Sequence, residues 1–94
     1  MTNDIHILDL GNGSYVNADR IVSIASTDSL PVRRLIQDAK NAGRVIDLSG
    51  REKTRSVLVT DSEHVICSAE ETSVLASRWL SLGAGQTESG EPDG

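Results

Sequence analysis

Apolar positions along the chain change period several times, and each change marks an element. "IHILDL" (5–10) alternates as a strand does, and "GNGS" (11–14) follows it with residues that accept positive φ, the mark of a tight turn. "YVNADRIVSIAS" (15–26) predicts a second extended segment, strongest over Ile21–Ala25. The period then lengthens. Val32, Leu35, Ile36, Ala39 and Ala42 form one helical stripe, with Ser29 or Asp28 available as a cap, Pro31 in the first turn and Gly43 placed to end it. Arg33, Arg34, Gln37, Lys40 and Asn41 lie off that stripe.

Alternation returns in "RVIDLS" (44–49), a third strand. "RSVLVTD" (55–61) and "HVICSA" (64–69) then predict a hairpin. "EETSVLASRWLSLG" (70–83) predicts a second helix, with Glu70 and Glu71 at its positive end and Gly83 at its stop. The order is therefore β-β-α-β-β-β-α, an α+β fold built on a small mixed sheet. Residues 1–83 make one domain, and 84–94, whose only apolar side chain is Ala84, are expected to form a disordered acidic tail.

Composition sharpens this picture. Phe is absent and Tyr15 and Trp79 are the only aromatics, so the core must be aliphatic. Val57 and Val59 oppose Leu58, and Val65 and Cys67 oppose Ile66, which gives these strands two apolar faces. Two short helices leave part of such a sheet for a second subunit to cover, so a homo-oligomer is expected. A single cysteine, Cys67, excludes an internal disulfide and reads as a small core residue. No apolar run is long enough to span a bilayer, and "MTNDIHILDL" lacks the pattern of a secretory signal, so the expected location is the cytoplasm, with no membrane partner.

Charge is unevenly placed. The chain carries −5, yet residues 30–55 hold seven bases against three acids, a local +4. The bases concentrate in "SGREKTRS" (49–56), read as the tip between two strands. Such a tip is ordinarily solvated charge that keeps a sheet edge soluble. Its functional alternative is a phosphate-gripping finger, with Arg51, Lys53 and Arg55 facing an anionic partner and Arg33, Arg34 and Arg44 extending the basic face. No aromatics are interleaved, which argues against stacking on single strands.

Other chemistry is thin. Asp61 and His64 in "DSEH" are too few for a metal site and read as turn residues, "GNG" lacks the rest of a phosphate-binding loop, and an enzyme using His64 and Cys67 is a distant third reading. Neither catalytic residues, nor a cofactor, nor a small-molecule substrate is expected. Arg20, at the entry to an apolar strand, has an ion pair with a nearby acid as its ordinary reading.

"VNADRIVSI", "PVRRLIQDAKNAGRVID" and "TRSVLVTDSEHVICSA" closely resemble the RemA family of bacterial extracellular-matrix regulators, nearly without gaps over residues 5–69. The resemblance implies a subunit similar to the LytTR type of DNA-binding domain, assembly into rings, and binding of double-stranded DNA in the control of biofilm-matrix operons. It implies a role in DNA binding for Arg20, and Arg34 and Arg55, which match basic positions of the family's pattern, are expected to join it. The family's adjacent Arg pair falls here on Glu52 and Lys53, with Arg51 one position earlier. A ring presenting this tip many times makes a basic annulus even on an acidic protein. The alternative is a ring-forming protein-interaction module that has lost DNA binding.

Overall fold

A computed structural model describes residues 6–87. Strands β1 (Ile7–Gly11) and β2 (Ser14–Asn17) form an antiparallel hairpin. Its turn puts Asn12 at φ 54° and Gly13 at φ 75°, the left-handed pair that a two-residue hairpin loop requires. Gly11 is also left-handed, at φ 86°, so a side chain there would be strained, and its Cβ, 2.7 Å from a Glu70 carboxylate oxygen, would push that carboxylate aside.

The extended segment expected over 15–26 is in fact two strands in two sheets. Asn17 ends β2 by accepting the Asp19 amide on its side chain at 3.0 Å, and residues Ala18–Arg20 make a single 3₁₀ turn. This Asx contact offers the backbone a turn in place of a ladder. Strand β3 (Ile21–Ser26) then enters a four-stranded sheet with β4 (Val45–Asp47), β5 (Ser56–Thr60) and β6 (Val65–Ser68), in the order β3-β5-β6-β4. The α+β class holds, with one more strand than the sequence pattern predicts.

Strand β5 is antiparallel to β3 and β6, whereas β4 is parallel to β6. Residues 48–55 therefore do not form a hairpin tip. They are a crossover that leaves β4, passes the carboxyl end of β6 and enters β5 on its far side. The Leu48 amide donates to the Cys67 carbonyl at 2.9 Å and the Arg55 amide to the Ser68 carbonyl at 2.8 Å, one bond on either side of the passage.

Helix α1 (Leu30–Asn41) covers one sheet face, where Val32, Ile36 and Ala39 meet Val57, Val65 and Cys67. Leu35, counted in the same stripe from its spacing, is turned outward and exposed. The other face is covered jointly by helix α2 (Thr72–Thr87), through Leu75 and Trp79, and by the β1–β2 hairpin, through Leu8 and Leu10, against Leu58 and Ile66. Both faces are thus covered within the chain, because the hairpin does what a second subunit was expected to do. What stays open is the two sheet edges, β3 and β4. Each fully buried Leu or Val contributes about 1.5–3 kcal/mol relative to exposure.

Helix α2 continues through Gly83 to Thr87, so the expected stop at Gly83 is not used. The rest of the acidic tail, 88–94, lies outside the described residues. No described helix is long and apolar enough to cross a membrane.

Candidate nucleic-acid interface

Directionality decides where the charged residues meet. Strands β3, β4 and β6 all end at one end of the sheet, where β5 begins. Helices α1 and α2 start there too, each shortly after a strand. That end therefore carries two helix N-termini, each with a partial positive charge and unsatisfied amides. Ser29 makes no side-chain cap bond to α1.

The 48–55 crossover lies at this end and is fixed from below. Asp47 accepts from the Ser49 amide at 3.0 Å and from its hydroxyl at 2.5 Å. These two bonds hold the Asp47 carboxyl below the usual carboxylate range, the hydroxyl contributing most. Ser49 is buried, its hydroxyl also meets that of Thr54 at 3.1 Å, and its carbonyl accepts from the Asn12 side chain at 3.0 Å. Gly50 turns the chain at φ 68°. On the far side the Thr27 amide donates to the Arg55 carbonyl at 3.1 Å. Between these anchors Arg51, Glu52 and Lys53 project as exposed side chains.

Lys53 and Arg55 share a cleft of about 690 Å³ with Arg33 of α1. Arg33 is aimed by its own surroundings, with Nε donating to the Thr27 carbonyl at 3.1 Å and Nη2 to that of Asp28 at 3.4 Å. Arg55 is ion-paired with Glu71, the residue before α2. Lys53 and Arg51 have no ion-pair or hydrogen-bond partner for their side chains among the described residues. Three cations from two chain segments, beside two helix N-termini, make a surface suited to phosphate oxygens.

The remaining basic residues lie elsewhere. Arg20 is at the opposite end of the sheet, paired with Asp61 at 2.9 Å. The five steps from Ile21 to Ser26 put the two ends about 17 Å apart. Arg44, grouped with the basic face from sequence, is also at that far end, bound to Glu63 at 2.8 Å. Arg34 is exposed on α1 and does not line the cleft. Arg33 takes that place, and a signal for it exists in the sequence. A base so close to the start of a helix opposes the macrodipole, and this signal marks Arg33 and Arg34 alike; only the carbonyls of Thr27 and Asp28, which hold the Arg33 guanidinium, single it out. Glu71 was legible only as a helix-start acid.

Chemistry of other kinds finds little support. Ser62 and His64 share a hydrogen bond of 2.8 Å, and Ser62 and Thr60 one of 2.9 Å, a closed turn network. No group of three metal-ligating side chains occurs among the described residues. Burial pushes the Cys67 thiol pKa up, away from a nucleophilic thiolate.

Comparison with known proteins agrees with the sequence resemblance. Residues 7–79 match the family described as extracellular matrix regulatory protein A-like. A protein named "Putative regulatory protein" from Nitratidesulfovibrio vulgaris is 48% identical over 73 residues, covering 78% of this chain and 85% of its own length. One of the same name from Desulforamulus reducens is 40% identical over 85 residues, covering 90% and 94%. One named "Putative regulatory protein Npun_R3866" from Nostoc punctiforme is 40% identical over 77 residues, covering 82% and 88%. The family match spans both sheets, α1 and α2 as far as Trp79, cleft residues included, and the chain belongs to the RemA-like family of regulatory proteins.

Proposed function

We propose that this protein is a non-enzymatic, cytoplasmic transcriptional regulator of extracellular-matrix genes. It acts as a ring-shaped homo-oligomer that grips duplex DNA phosphates through its repeated 48–55 crossover. The observation that carries this reading is the convergence of Arg33, Lys53 and Arg55 on one cleft of a chain whose net charge is −5. Arg51 on the same crossover extends the basic surface, and Arg34 and Arg20 are further contacts drawn from the family resemblance. Arg20, at the other end of the subunit, reaches the same duplex only if the DNA runs along the sheet or if neighbouring subunits present alternate ends.

Two features support assembly. Strands β3 and β4 are open edges on opposite sides of one sheet, and each carries an exposed aliphatic residue, Val22 at 62% and Ile46 at 42% exposure. Two different edges meeting head to tail are the heterologous contact that closes into a ring.

The deciding experiment is binding to a random duplex over a range of salt. Phosphate contacts give a log–log slope of about −0.9 per neutralised phosphate on B-form DNA. Lys53→Ala and Arg51→Ala weaken binding with unchanged melting temperature, and Glu52→Arg tightens it. The second reading, an interaction ring without DNA binding, is favoured by Glu52 in the paired-base position and by the two carboxylates engaged with Arg20 and Arg55. It predicts no duplex binding even at low salt.

A further inference from the structure

Two carboxylates line the cleft, and they differ in what they do there. The Asp28 side chain has no partner among the described residues, whereas that of Glu71 is held on the Arg55 guanidinium. A carboxylate offers a guanidinium the same pair of anionic oxygens that a phosphate offers. While Glu71 is in place, Arg55 has its acceptor already.

The contact is built to come apart without disturbing the fold. Both side chains are more than half exposed, 56% for Arg55 and 58% for Glu71, and exposed pairs of this kind are broken at little cost. The backbones beneath them are fixed independently. The Glu71 carbonyl accepts from the amides of Val74 and Leu75 at 3.0 and 3.1 Å, and the preceding carbonyl, of Glu70, accepts from the Ser56 hydroxyl at 2.7 Å. Arg55 is bonded through its amide to β6 and through its carbonyl to Thr27. Only the Glu71 side chain has to swing for Arg55 to face the cleft unpaired.

We propose that the cleft is a phosphate site occupied from within by Glu71, and that a phosphate group enters by displacing this carboxylate from Arg55. The group comes from a nucleic-acid backbone or from a free diphosphate. The duplex arm rests on the function proposed above, and the free-diphosphate arm does not. Lys53, with no partner to give up, makes the first contact, and Arg55 joins after the exchange. The resting subunit thus withholds one cation from its ligand.

The test compares wild type, Glu71→Gln and Asp28→Asn in two titrations. Inorganic pyrophosphate is followed by NMR at the Thr27 and Thr54 amides and at the Arg55 Nε–H. A random duplex is followed by anisotropy at several salt concentrations. Glu71→Gln is expected to bind pyrophosphate about two- to fivefold tighter and to steepen the duplex salt slope by about 0.9 per added phosphate contact. Asp28→Asn removes the same charge from the same cleft without freeing an arginine, so it gains less, and before ligand is added its Arg55 Nε–H keeps the wild-type position whereas that of Glu71→Gln is shifted. Equal gains in the two variants reduce Glu71 to a general charge and overturn the proposal. Tightening for pyrophosphate with no duplex binding at low salt keeps the phosphate site and removes the DNA reading. Duplex binding of identical affinity and slope in wild type and Glu71→Gln, with no tightening for pyrophosphate, keeps the DNA reading and overturns the exchange.

Discussion

Asp47 shows how a residue remote from any ligand sets the geometry of the basic crossover. Its carboxylate accepts both the amide and the hydroxyl of Ser49, and Ser49 in turn meets Thr54 from below. The folded pKa lies below the unfolded value, so the carboxylate's contribution is complete above the unfolded pKa and is lost as pH falls through the folded one. Acid melts are therefore expected to show a loss of stability below about pH 4 that is reduced in Asp47→Asn. At neutral pH the variant should exchange its Ser49 amide faster, and hydrogen-exchange mass spectrometry measures this. An unchanged acid profile for the variant removes Asp47 from its role as the anchor. Little of this was visible in the sequence. "DLSG" shows turn residues but not which partner each takes, and nothing in the sequence singles out Glu71 as the acceptor for Arg55. Ion-pair partners depend on strand order, and side-chain chemistry does not encode that order locally.

Elements were more legible than their connections. The helix over 30–41, the β5–β6 hairpin and the alternation of Val57 and Val65 against Leu58 and Ile66 follow from period alone. The parallel pairing of β4 with β6 does not, because "VID" reads the same beside either neighbour. The join between the β1–β2 hairpin and the sheet was equally hidden. It is made by polar side chains: the Ser68 hydroxyl donates to the Leu10 carbonyl at 2.9 Å, and Arg78 of α2 donates to the Asp9 carbonyl at 2.9 Å. Ser68 is fully buried, so Ser68→Ala strands an acceptor out of reach of water. A loss of about 1–3 kcal/mol is expected in urea denaturation. Leu58→Ala, which empties the centre of the same layer, is expected to cost about 2–5 kcal/mol. A near-zero change for Ser68→Ala means that this hydroxyl does not hold the hairpin, which is then joined by its apolar contacts and the Arg78–Asp9 and Asn12–Ser49 bonds.

At the scale of the whole molecule, the sequence pointed to oligomerisation for a reason that the fold replaces. Both sheet faces are covered from within, and the open features are the edges, with Val22 and Ile46 exposed on opposite sides. Edge contacts predict a specific mutational signature. Val22→Lys and Ile46→Lys should each lower the mass seen by light scattering at micromolar concentration, with little change in the secondary-structure signal of the subunit. If the contact is heterologous, mixing the two variants should restore only one kind of joint, giving dimers and not rings. Wild type that scatters as a monomer removes the ring altogether.

The crossover route of residues 48–55 also has a consequence in time. Strand β4 docks on β6 across a separation of twenty residues, Val45 against Val65, and does so as an edge strand of three residues. Such a pairing closes a long loop for few contacts and belongs late in folding. The β5–β6 hairpin needs only the short turn between Thr60 and Val65 and can form without it. A chain halted at that stage can already set Arg55 against Arg33, since that needs only the β3–β5 pairing and the bonds at Thr27, but the stretch carrying Arg51 and Lys53 lacks its Asp47 and Ser49 anchor until β4 docks. The geometry of the crossover, rather than the juxtaposition of Arg33 and Arg55, is thus a readout of completed folding. Destabilising substitutions in β4 should speed unfolding and leave the refolding rate nearly unchanged in stopped-flow chevrons, and subunits without a docked β4 should bind phosphate more weakly than the complete fold.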